Sequence, residues 1–153
     1  MYKFSLEPVL THRRYLEENI QKEFARIKDN LSRENHNLRI LKKSRDKVLH
    51  KLDLKKEGGI NIQEILISFG FIEQLSTSIN EQKKRVAGIK QKTEKKRRDL
   101  INALKKRKIL EKLKEKRLKE YCQEHAKEEQ HFLNEVAIGG FTGKNSDNSF
   151  RRE

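Results

Sequence analysis

LEPVLTHRRYLEENIQKEFARIKDNLSRENHNLRILKKSRDKVLHKL, residues 6–52, carries an apolar stripe with the period of a coiled coil. Stepping alternately four and three residues from Leu6 gives Leu6, Leu10, Arg13, Glu17, Ile20, Phe24, Ile27, Leu31, Glu34, Leu38, Leu41, Arg45, Val48 and Leu52. Ten of these fourteen positions are apolar. A strict 3-4 spacing keeps one narrow seam facing a partner helix along the whole length. Nothing between about residue 5 and residue 55 breaks a helix, which at about 1.5 Å per residue makes a rod of roughly 77 Å. Ser5 is a natural N-cap. Pro8 then falls in the first turn, where its missing N–H costs little, and Glu7 suits the positive end of the helix dipole.

Lys55-Lys56-Glu57-Gly58-Gly59 ends the stripe, and the double glycine marks the reversal, over about residues 56–61. Asn61 can cap a second helix, with Glu64 at the third position completing a capping box. A second stripe follows: Ile65, Ile72, Leu75, Ile79, Val86, Ile89, polar Thr93 and Lys96, then Leu100, Leu104, Leu110 and Leu113. It continues less regularly through Leu118, Tyr121, Phe132 and Val136, so helix two is expected over about residues 62–138. Gly70 and Gly88 weaken it without interrupting the pattern. The end, GGFTGKNSDNSFRRE, has no periodicity, and residues 139–153 are expected to form a flexible tail.

The expected fold is therefore all-α: a long antiparallel two-helix coiled-coil hairpin over residues 1–138, helix two outrunning helix one. A turn centred near Gly58 puts Leu6 close to Leu110. About 25 residues of helix two, from about Lys114 to Ile138, then lack a partner within the chain, although they carry Leu118, Tyr121, Phe132 and Val136. A lone helix gains little stability without packing, so this overhang docks on another protein, pairs with a second copy of the chain, or frays in isolation.

Composition supports the same architecture. Of 153 residues only 33% are hydrophobic while 39% are charged, too little apolar material for a layered core but enough for one seam per helix. No run approaches the roughly 18 apolar residues of a membrane span, and MYKFSLEPVL is too short and too charged for a secretory signal. Cys122 is alone, so no internal disulfide can form and a reducing, cytoplasmic setting is expected. The chain has no phosphate-binding glycine loop and no paired-cysteine zinc spacing. Cys122 and His125 could share a helix face, but His131 is poorly placed as a third ligand. No catalytic residue, cofactor, metal or small-molecule substrate is expected.

Two surface features remain. Residues 90–119 hold fifteen Lys and Arg against Glu94, Asp99, Glu111 and Glu115, within a formal net charge of +14. Such a face is solvated, meets an acidic protein, or lies along nucleic acid phosphates. The last is disfavoured because the segment's own apolar stripe, Leu100, Leu104, Leu110 and Leu113, is occupied by pairing. The second feature is SFGFIEQLSTSINEQ, residues 68–82. Phe69 and Phe71 cannot both face the seam. Phe71, Leu75, Ser78 and Gln82 form one stripe beside it, a candidate partner contact unless Phe71 folds back over the turn.

Three segments, in order and spacing, resemble the flagellar FliJ family: FSLEPVLTHRRYLEE at the start, FIEQLSTSINEQ after the turn, and LEKLKEKRLKEYCQEHAKEEQHFLNEVAI towards the end. The resemblance extends nearly to Ile138. It implies a non-catalytic stalk and adaptor of the flagellar type III protein export apparatus, similar to the central stalk of rotary ATPases. The implied partners are a hexameric FliI-like export ATPase, whose assembly and activity it promotes, an FlhA-like export gate protein, and export chaperones. The implied place is the cytoplasmic face of the inner membrane. On this reading Leu6, Leu10, Arg13, Arg14, Leu113, Arg117, Leu118 and Tyr121 sit at the open end that enters the ATPase ring, and Phe71, Leu75, Ser78 and Gln82 are left for the gate. The alternative reading is a basic coiled coil that binds nucleic acid or assembles with itself as a scaffold.

Overall fold

The computed structural model describes residues 1–59 and 61–147, the side chains of 141–147 excepted. Among the described residues there are two helices and no strand: α1 (Glu7–Lys56) and α2 (Ile62–Asp147). The chain is all-α, two long helices packed against each other. All fourteen positions of the first stripe are buried or half-buried, so the 3-4 pattern reads the packed face of α1 correctly. By contact the chain divides into two units, Arg14–Leu104 and Met1–Arg13 with the residues from Lys105 on.

The Arg14–Leu104 unit contains the turn. Gly59 takes a φ of +80°, a left-handed conformation that only glycine adopts without strain, and the Gly58 amide donates to the Lys55 carbonyl at 3.2 Å. The next helix starts on an Asn61 cap: its Oδ1 accepts from the Gln63 amide at 3.2 Å. The expected capping box is incomplete, because the Glu64 carboxylate pairs instead with Lys55 Nζ at 3.0 Å, across the turn. The core here is Leu52, Leu75, Ile79 and Val86, with Ile79 only 1% exposed. Glu34 meets Gln82, the register that a turn near Gly58 requires. The Gln82 amide donates to the Glu34 carbonyl at 3.0 Å and also to its carboxylate, so two polar seam positions satisfy each other. Lys96, a polar step in the second stripe, forms an ion pair with Glu23.

In the other unit the N-terminus departs from expectation. α1 begins at Glu7, whose amide donates to the Phe4 carbonyl at 3.1 Å, and Leu6 supplies the first helical acceptor, to Leu10 N at 3.0 Å. Leu6 rather than Ser5 is thus the capping position. The Ser5 hydroxyl accepts from Arg117 Nη1 at 3.2 Å, and Glu7 pairs with Lys114 Nζ at 2.7 Å. The Tyr2 ring packs on that of Tyr121, centroids 5.5 Å apart. The first six residues are not helical. The Glu7–Lys114 and Tyr2–Tyr121 contacts both lie further along α2 than a turn centred on Gly58 puts them, so the stretch exposed at every residue begins after Tyr121 rather than at Lys114. Phe4 and Leu10 are the buried apolar residues of this unit, Leu10 completely so.

Periodicity placed the end of helix two near Ile138, but α2 continues to Asp147. Residues 148–153, the rest of the expected tail, lie outside the described residues.

Candidate functional site

The first candidate surface is the exposed part of α2 beyond Tyr121. From Cys122 to Gly140 every residue is exposed, including Phe132, Leu133, Val136 and Ile138. Four large apolar side chains within seven residues of one helix are more than scattered surface hydrophobics, and a helix of this kind gains stability only when its face is covered.

The residues expected at this end fall into two groups. Leu10 is fully buried and Leu6, Arg13, Leu113 and Tyr121 are half-buried, so they build the support; Arg117 and Leu118 are exposed. Arg117 is held by Ser5, and Tyr121 lies between Tyr2 and His125, whose ring centroid is 6.0 Å away. Arg14 is exposed but belongs to the Arg14–Leu104 unit.

The second candidate surface is the stripe after the turn. The seam takes up two of its four residues: Leu75 is buried, and Gln82 is 6% exposed with its amide committed to Glu34. Phe71 at 47% is exposed, and Ser78 is half-buried. Phe71 does not fold away over the turn. With Ile67, Ser68, Val48, Leu52, Lys51 and Lys55 it lines a shallow groove of about 220 Å³. Sequence reasoning missed the flanking residues Ile62, Leu66, Ile67 and Phe69, all well exposed. The signal was present: continuing the four-and-three steps from Ile65 through Ser68 assigns Ser68 and Gln82 to the seam and leaves these four outside it.

The basic segment is partly neutralised. Lys96 and Lys114 pair with Glu23 and Glu7 of α1. Within α2 Arg107 forks onto Glu111 at 2.9 and 2.8 Å, and Arg97 and Arg98 both approach Glu94. Most of its remaining lysines point to solvent.

Among the described residues no group of three or more His, Cys, Asp or Glu side chains could hold a metal ion. Among them also no helix is long and apolar enough to cross a membrane. Neither curated proteins nor solved structures give a match to this chain. The family comparison is positive over almost the full length: the model described as "Flagellar FliJ protein" matches residues 2–146. The paired helices, their 3-4 seam and this match together show that the chain belongs to the FliJ family, components of the flagellar export apparatus.

Proposed function

We propose that the chain is a non-catalytic stalk and adaptor of that apparatus. Its open end enters the ring of the hexameric FliI-like export ATPase, promotes hexamer assembly and raises ATP hydrolysis. The surface around Phe71 contacts the FlhA-like export gate, and the adaptor also escorts export chaperones. On this reading it acts in the cytoplasm, peripheral to the inner membrane.

The observation that carries the reading is the fully exposed stretch from Cys122 to Gly140 with its apolar residues Phe132, Leu133, Val136 and Ile138. The ring covers these exposed side chains. Leu10 and the Tyr2–Tyr121 contact brace the base from which the stretch projects. The exposed lysines of residues 105–119 suit a ring lined with acidic groups.

The test is ATP hydrolysis and ring assembly by the cognate export ATPase, with the full chain and with a chain ended after His125. The shorter chain keeps Lys114–Glu7, Arg117–Ser5 and Tyr2–Tyr121. The full chain is expected to raise turnover and shift the ATPase to hexamers, and the shorter one to do neither. Equal activation by both would remove the exposed stretch from the mechanism.

A further inference from the structure

The end of the Arg14–Leu104 unit at the turn exposes Leu49, Leu54, Ile62, Leu66, Ile67, Phe69 and Phe71, with Ile67 at 74% and Ile62 at 73%. Isolated apolar residues on a surface mean little, but seven within twenty-three residues of one hairpin end call for a partner.

Their distribution around α2 specifies the kind of partner. At about 100° per residue Ile62, Leu66 and Phe69 share one flank, while Ile67 and Phe71 lie roughly 150° further round. The seam residues Ile65, Ser68 and Ile72 lie between the two flanks, facing α1. A flat surface, or a second copy presenting the same convex end, covers one flank and leaves the other wet. Only a concave partner covers both.

Charge narrows it again. Between Asn61 and Ile72 the sole charged side chain is Glu64, and Lys55 holds it at 3.0 Å. In a chain of net charge +14 this stretch of α2 offers almost no free charge, so what receives it is an uncharged apolar socket, while Lys51, Glu57 and the paired Asp53 and Lys56 on the α1 side of the same end fall to a polar rim. A bilayer would also envelop a convex end. It would, however, strand the amides and carbonyls at the two helix ends beside Gly58 and Gly59, which hydrocarbon cannot satisfy and the polar rim of a protein socket can.

We infer that the hairpin end is a plug for a concave, uncharged, apolar socket with a polar rim in a protein partner, Ile62, Leu66, Ile67, Phe69 and Phe71 entering it from both flanks. This rests on the reading of the gate contact above and deepens it: the socket belongs to the gate protein, and the contact is centred nearer the turn than the Phe71–Gln82 stripe.

The experiment is binding of the full chain to the purified cytoplasmic domain of the cognate gate protein. It compares wild type, Leu66→Ser/Phe69→Ser on one flank, Ile67→Ser/Phe71→Ser on the other, and a Lys22→Glu/Lys28→Glu control on the exposed face of α1. Each flank variant is expected to weaken binding about tenfold or more, as centrally buried apolar anchors do, with thermal unfolding unchanged. The control is expected to bind as wild type, and wild-type affinity to change less than about threefold between roughly 0.05 and 0.5 M salt. Unaltered binding by either flank variant, or a steep salt dependence, would overturn the socket while leaving the gate contact standing. No binding by wild type would remove the gate reading and the inference together. A dimer or capture by lipid vesicles that the flank variants abolish would assign the end to a second copy or to a membrane instead.

Discussion

Ile79→Ala is the sharpest test of the seam. Ile79 is 1% exposed, so almost its whole side chain is out of water. The substitution removes three carbon groups at about 0.8 kcal/mol each, ~2.4 kcal/mol in transfer terms. The cavity left between the helices raises this to about 3 kcal/mol, in the lower half of the range for such changes because two helices relax more readily than a layered core. For a chain of this length that is a fall of about 6–12 °C in the unfolding midpoint. Ile67→Ala deletes the same atoms from a side chain that is 74% exposed, and the same reasoning gives only ~0.6 kcal/mol. The pair is measured by thermal unfolding followed by far-ultraviolet circular dichroism. Because the deletion is chemically identical, the difference reports burial alone. If Ile67→Ala lowered the midpoint as much as Ile79→Ala, the assignment of the seam, and with it the exposed flank of the turn, would be wrong.

Other expectations can be checked on the same footing. Gln82→Ala leaves the Glu34 carbonyl and carboxylate without their seam partner, a loss of about 1–3 kcal/mol. A double-mutant cycle with Glu34→Ala should return a coupling on the order of 1 kcal/mol, and additivity would refute the pairing. Gly59→Ala meets no atom within 4 Å but must hold a φ of +80°, so it is expected to cost about 1 kcal/mol from the left-handed backbone alone; a neutral result would mean that the turn rearranges. Tyr121→Ala removes the ring against Tyr2. Amide exchange should quicken over residues 1–6 while the Arg14–Leu104 unit keeps its protection, and unchanged exchange at the N-terminus would show that the tyrosine contact does not hold it.

The stripe in residues 6–52 was enough to predict helix one, its packed face and the need for a partner helix, because a 3-4 period survives any detail of packing. Gly58-Gly59 located the reversal because no other residue takes a positive φ so cheaply. The resemblance carried by three segments pointed to the family, which the match over residues 2–146 then showed. Tertiary structure alone decided the rest. Gln82 read as surface beside the seam, yet it lies within it, since a polar residue joins a buried stripe when an opposite group such as Glu34 satisfies it. Ser5 read as the helix N-cap, but residues 1–6 precede the helix and Tyr2 packs on Tyr121, so the stretch of α2 exposed at every residue begins later than expected. Which apolar residues stay in water, Ile62 and Phe69 at the turn and Phe132 and Val136 far along α2, depends on where α1 runs out and which way each helix is rotated. Those are distances between segments remote in sequence, and periodicity within one helix contains no measure of them.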